Sequence, residues 1–170
     1  MLRELKESDA SLMLECLKDK DVNQYMNIDG SNMTIDDCKN FIRNSLKDSL
    51  SKHFAIVDNQ DRWVGTISLK NIDSKTKVAE YAIITSKEVH GKGLALEATK
   101  EILDYGFNTL NLNRIYLNVV EDNIRANKFY LKCGFEFEGT FRQAIYIKNK
   151  IYNLNWYAIL KGCEKNEEIH

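Results

Sequence analysis

Apolar residues first recur at helical spacing. Ala10, Met13, Leu14 and Leu17 follow Ser8-Asp9, which offers a helix N-cap. Ahead of them, Leu2 to Leu5 reads as a short strand. Residues 19–33 are polar with one glycine and read as a loop. Thr34, with Asp37 three positions on, forms a capping box, and Cys38, Phe41, Ile42 and Leu46 give the helix behind it an apolar face. At His53 the texture changes. Phe54–Val57 and Trp63–Leu69 are short apolar runs around the turn Asp58-Asn59-Gln60-Asp61, a hairpin signal. A third run, Val78–Thr85, follows the polar turn Asp73-Ser74-Lys75.

Beyond the third strand, His90-Gly91-Lys92-Gly93 opens a helix with Leu94, Ala98 and Ile102 on one side. Ile115–Val120 is another strand. Asn123 then caps a short helix carrying Ala126, Phe129, Tyr130 and Cys133, and Gly134 suits the left-handed position that closes it. A last hairpin runs over 135–147 and 151–160 around Lys148-Asn149-Lys150. This order predicts an α/β (α+β) domain: a central mixed, mostly antiparallel sheet flanked by about four helices. No linker or repeat is visible, so residues 1–162 read as one domain and 163–170 as a polar tail.

Composition narrows the function classes. A formal net charge of -1 over 170 residues argues against a nucleic-acid reader. The start lacks the apolar core of a signal peptide, and no apolar run approaches the roughly 20 residues of a membrane span. The four cysteines Cys16, Cys38, Cys133 and Cys163 lack C-x-x-C spacing, which predicts free thiols, no metal site and a cytoplasmic location.

Three groups carry candidate chemistry. Glycines at the start of a helix let main-chain N–H groups approach an anion, so His90–Ala95 is a candidate phosphate cradle; a turn that merely needs glycine is the alternative. The spacing matches neither a P-loop nor the dinucleotide fingerprint. Tyr130 lies on the apolar face of its helix, which fits a core tyrosine, yet a phenol with pKa near 10 can also donate a proton to a leaving thiolate. Glu80 interrupts an apolar strand and by alternation faces away from Ala79 and Tyr81, toward solvent or a cleft. Cys133, at the C-terminal end of its helix, reads as core and not as a nucleophile.

Taken together, the strand with Glu80, the Gly91-Lys92-Gly93 loop and Asn123-x-x-Ala126-x-x-x-Tyr130-x-x-x-Gly134-Phe135 resemble the GNAT superfamily of N-acetyltransferases. The resemblance spans about residues 2–160 and is strongest from Ala79 to Tyr157. The family's coenzyme A loop, [Q/R]-x-x-G-x-[G/A], aligns with His90-Gly91-Lys92-Gly93-Leu94-Ala95, with His90 replacing the usual Gln or Arg. Glu138-Gly139 and Trp156–Leu160 are similar to ribosomal-protein N-terminal acetyltransferases of the RimJ/RimL type. Ala79-Glu80-Tyr81, Asp104–Phe107 and Leu110-Asn111-Leu112 resemble spermidine N-acetyltransferases, and Asp21–Met26 resembles enzymes that acetylate nucleotide-linked amino sugars.

The resemblance implies the GNAT fold and acetyl-CoA as cosubstrate. It implies that Ile83, Ile84 and Thr85 contact the pantetheine and acetyl carbonyl through their main chain. His90 through Ala95 hold the pyrophosphate, Asn123 and Ala126 adjoin the pantetheine arm, and Tyr130 is the general acid. Glu80 matches an acidic position that in several members relays the amine proton. The implied reaction is direct attack of a primary amine on the thioester. The acceptor is a protein N-terminus, with a polyamine or nucleotide-linked amino sugar as alternatives, and a non-catalytic acyl-CoA binder as a rival. Residues 1–50 hold ten acidic and seven basic residues, a mild lean that suits a cationic amine. The expected assembly is a monomer or homodimer.

Overall fold

The computed structural model describes residues 1–163. Most of the tail expected over 163–170 therefore lies outside the described residues. Seven strands form one sheet in the order β1-β2-β3-β4-β5-β7-β6. They are β1 (Leu2–Glu4), β2 (Lys52–Val57), β3 (Trp63–Asp73), β4 (Val78–Thr85), β5 (Arg114–Val120), β6 (Glu136–Ile147) and β7 (Lys150–Leu160). The helices are α1 (Ala10–Lys18), α2 (Lys20–Asn23), α3 (Ile35–Ser45), α4 (Leu94–Asp104) and α5 (Ile124–Lys132), with a π-helical turn over Tyr105–Thr109. The expected mixed sheet is present, with five helices around it. The expected loop over 19–33 is corrected in part. Asp19 accepts from the N–H of Asp21 and caps the single turn of α2, which is too short to show a periodic apolar face.

Every neighbouring pair of strands is antiparallel except β4 and β5. Alternation along β4 sends side chains to two faces. Ala79 and Tyr81 join the larger core with Ala98 and Ile102 of α4 and Tyr130 of α5. Ile84 packs instead on the second core, built from Met13 and Cys16 of α1 and Cys38 and Ile42 of α3. The capping box read from Thr34 and Asp37 forms, each side chain accepting from the other residue's N–H.

The segment between α1 and α3 reaches across the sheet. Lys148 Nζ, in the β6–β7 turn, donates to Asn23 O and Oδ1, both at 2.7 Å. Asn23 in turn donates to Leu17 O at 2.7 Å and is buried. Tyr25 stacks edge-on against Tyr152 at 5.9 Å. One strap thus ties the α1 side of the sheet to the β6–β7 hairpin.

Candidate active site

The parallel pair β4–β5 stays together for three positions only: Val78 opposite Arg114, Ala79 opposite Ile115 and Glu80 opposite Tyr116. Beyond Glu80 the two strands diverge while each keeps its outer partner. Thr85 still faces Gly65 on β3, and Val120 still faces Leu154 on β7. A wedge opens between them, bordered by main-chain groups that no strand takes up.

Register identifies those groups. In an antiparallel pair, opposite residues alternate between exchanging hydrogen bonds and turning their N–H and C=O outward. Ser86 N donates to Val64 O at 2.8 Å. Counting back along β3 and β4, Ile84 bonds Thr66, whereas Tyr81, Ile83 and Thr85 turn their main-chain groups toward β5. On the other side, Glu121 N donates to Asn153 O at 3.0 Å, which leaves Asn118 facing the wedge. The expected main-chain row therefore narrows to Ile83 and Thr85. The Ile84 N–H is spent on β3, and its side chain faces the opposite core.

The glycine loop stands at the open end of the wedge. Gly91 and Gly93 take φ of +76° and +80°, a conformation that favours glycine, and a Cβ at either would meet nothing within 4 Å. No described carbonyl accepts from the N–H of Gly91, Gly93, Leu94 or Ala95. These donors converge at the positive end of α4. Burial lowers the pKa of His90, and the nearby charges of Arg125 and Lys87 lower it further. A hydrogen bond to the Thr85 main chain and the charge of Asp19 oppose this without reversing it, so the imidazole is neutral near pH 7. An anionic pyrophosphate fits this donor set.

Helix α5 brings two more of the expected residues to the wedge. Asn123 caps it, its Oδ1 accepting from Ala126 N at 3.3 Å, which leaves its amide N–H groups and a second Oδ1 lone pair to bond a ligand. Tyr130 is 9% exposed and packs against Tyr81, ring centroids 6.0 Å apart, and against Phe135 and Tyr157. Its hydroxyl makes no hydrogen bond to a described residue. Burial pushes this phenol up, so it keeps its proton across neutral pH.

Glu80 is held by two polar neighbours. It lies on the face opposite Tyr81, and Lys70 Nζ approaches one carboxylate oxygen at 3.4 Å and Asn71 Nδ2 donates to the other at 3.0 Å. Each oxygen keeps a second lone pair, so these contacts orient the carboxylate and leave it able to accept a proton. Cys133 is half-buried at the end of α5, and burial lifts its thiol to about 11, in keeping with a packing role. Among the described residues no cluster of His, Cys, Asp and Glu is placed to hold a metal. None of the helices is long and apolar enough to cross a membrane.

Sequence reasoning missed Asn127, one turn after Asn123. Its Nδ2 donates to Val120 O, Glu121 O and Asn123 O at 3.1, 3.3 and 2.8 Å. Its Oδ1 accepts from Asn155 Nδ2 at 2.9 Å and Tyr157 Oη at 2.7 Å. This one buried amide fixes the β5–α5 turn to β7 and so sets the wedge's far wall. The polar residue on a buried helical turn was a visible signal, but its β7 partners lie about 30 residues away. Asn127→Ala strands several buried donors and acceptors, and the expected loss is about 2 kcal/mol, read as a lower urea midpoint at unchanged slope.

A strand pair that splays, a glycine loop opening a helix at its mouth and a tyrosine behind it together describe an acyl-coenzyme A transferase site. The chain belongs to the acetyltransferase (GNAT) family, whose domain model matches residues 1–136. It is an acetyl-CoA-dependent N-acetyltransferase of that type. It is 30% identical to spermidine N(1)-acetyltransferase of Vibrio cholerae over 129 residues, 76% of this chain and 75% of that protein. It is 29% identical to N-acetyltransferase p20 of Bacillus licheniformis over 94% of this chain and 92% of that protein. The crystal structure of the Vibrio cholerae spermidine enzyme with CoA and spermine matches at TM-score 0.85 and 28% identity, covering 94% of each chain.

Proposed function

We propose that this protein acetylates a primary amine by direct attack on acetyl-CoA held in the β4–β5 wedge. The observation that carries the reading is the wedge itself, with the outward main-chain groups of Ile83 and Thr85 on one wall and Tyr130 behind it. In this reading Gly91, Gly93, Leu94 and Ala95 bind the pyrophosphate, and the Asn123 amide binds the pantetheine arm. As the amine nitrogen bonds the acetyl carbon, the Ile83 N–H donates to the oxygen that gains charge. The carbon–sulfur bond breaks, Tyr130 supplies the proton taken by the departing sulfur, and the nitrogen, cationic after its attack, releases its extra proton to solvent, from which Tyr130 is reprotonated. The amine must first lose its own proton, because a lysine-like amine has pKa near 10.4. Glu80, oriented by Lys70 and Asn71 and with lone pairs to spare, takes that proton directly or through a water in the open cleft. A cytoplasmic setting, where acetyl-CoA and reduced thiols coexist, suits the four free cysteines.

The acceptor is a primary amine in both finer readings. A protein N-terminus is the first. A polyamine is the second, favoured by the names of the spermidine enzymes to which the chain is similar. Two measurements test the reaction. Coenzyme A, and not ATP or NAD, is expected to raise the melting temperature. Free thiol is expected to appear from acetyl-CoA only when a suitable amine is added. Protection without any amine-dependent release would replace the enzyme reading with that of a binder.

A further inference from the structure

On the face of β4 opposite Tyr130 lies a cavity of about 360 Å³. Its floor includes Ser68, Ala82 and Ile84, and Met13, Met26, Met33 and Phe41 close over it from α1, the strap and α3. The floor belongs to the strand segment whose edge presents Ile83 to the wedge, so the cavity and the proposed acetyl site share one wall. Its volume is that of a small-ligand site.

The charges around the cavity define what enters it. The lone carboxylate on its lining is Asp37, whose Oδ2 accepts from Thr34 N at 2.8 Å and Thr34 Oγ1 at 2.9 Å in the capping box. The basic groups on the lining are Lys70 and His53. Lys70 pairs with Glu80, one row along the floor. His53 Nδ1 lies 2.7 Å from Ser68 Oγ, and its ring meets Phe41 edge-on at 5.2 Å. No row of free carboxylates is present to receive a second or third ammonium. An extra cation here finds one carboxylate, already engaged in the capping box, and faces Lys70. A methylene chain or aromatic ring instead finds thioether, aromatic and methyl surface.

We infer that the acceptor is an amine whose body beyond the reacting nitrogen is apolar and uncharged, seated in this cavity. The inference rests on the proposed wedge reaction and selects among its acceptors. The shared chemistry has two sources: a free alkyl- or arylalkylamine, or a peptide N-terminus beginning with a large apolar residue.

The test is a matched pair, hexylamine and 1,6-diaminohexane, which differ by one terminal ammonium. Binding to the full chain in the presence of CoA is read by calorimetry, and turnover by thiol release. Hexylamine is expected to exceed the diamine at least tenfold in both affinity and kcat/KM, and spermidine to rank with the diamine. Peptides starting with Met or Phe, compared with those starting with Ser or Asp, separate the two sources. Phe41, 39% exposed, can be trimmed with little cost to the core. Phe41→Ala is expected to raise KM for hexylamine severalfold and leave CoA affinity unchanged. Met33→Glu is expected to shift the ratio toward the diamine. Equal or better binding and use of the diamine or spermidine would overturn the inference and leave the acetyl-transfer reading intact. The binding order without turnover on any amine would sustain the cavity's preference and defeat the reaction.

Discussion

Replacing Tyr130 by Phe is expected to lower kcat by about 10²–10⁴-fold, the range for loss of a general acid, while leaving the fold and CoA binding in place. The two halves of this expectation have separate causes. The ring is held by Tyr81, Phe129, Phe135 and Tyr157, and phenylalanine keeps all of those contacts. The hydroxyl bonds no described residue, so its removal strands no partner. What disappears is a proton donor at the wedge. The measurement is kcat at saturating acetyl-CoA and amine, alongside the melting temperature with and without CoA. Wild-type turnover in the variant would remove Tyr130 from the mechanism. Equal losses of turnover and stability would return it to the core.

Asp9→Ala is expected to cost about 3 kcal/mol of stability, the lower end of the 3–5 typical for breaking a buried pair. Asp9 is 4% exposed. Its two oxygens take the Arg3 guanidinium in a fork, Nη1 to Oδ2 and Nη2 to Oδ1, both at 2.9 Å, and Lys6 N donates to Oδ2 at 2.8 Å. Alanine leaves Arg3 with Asp61, at 2.7 Å but on the surface, which moderates the loss. In a chain of this length the melting temperature should fall by about 6–12 °C. Asp61→Asn is the control, because Asp61 takes φ of +59°, a left-handed conformation that asparagine also tolerates. That carboxylate is 57% exposed, and the melting temperature should scarcely move. A larger effect at Asp61 than at Asp9 would show that burial does not set the worth of this network.

The elements legible in the sequence are those whose cause is local. Thr34 and Asp37 announced α3 because both halves of a capping box lie within four residues. Gly91 and Gly93, and Asn123 with Tyr130, stood out because their spacing lies within one turn or one short helix. The three-strand meander and the last hairpin were legible from alternation and turn residues, and the hairpin ends came within a residue or so. The wedge was not legible. It depends on where β5 stops pairing with β4, between residues 36 positions apart. The proposed oxyanion donor narrows to Ile83 by register alone, since Ile83 and Ile84 are identical as letters. Glu80 was visible as an odd residue in an apolar run, but the Lys70 and Asn71 that orient it sit across a strand pair. The cavity draws its walls from α1, the strap, α3, β2, β3 and β4, and no single window of sequence contains it.

The alternation of β4 also bears on how such a protein can change. In the proposed reaction its main-chain edge at Ile83 and Thr85 meets the cosubstrate through groups that every residue type but proline possesses. Its side chains at Ala82 and Ile84, with Thr66 and Ser68 beside them, form the cavity floor. Substitutions at these four positions repaint the floor and keep the edge, because the ladder to β3 is written in backbone atoms. Selection on a new amine can therefore act without renegotiating the acetyl donor. A library confined to residues 66, 68, 82 and 84 is the laboratory form of that freedom.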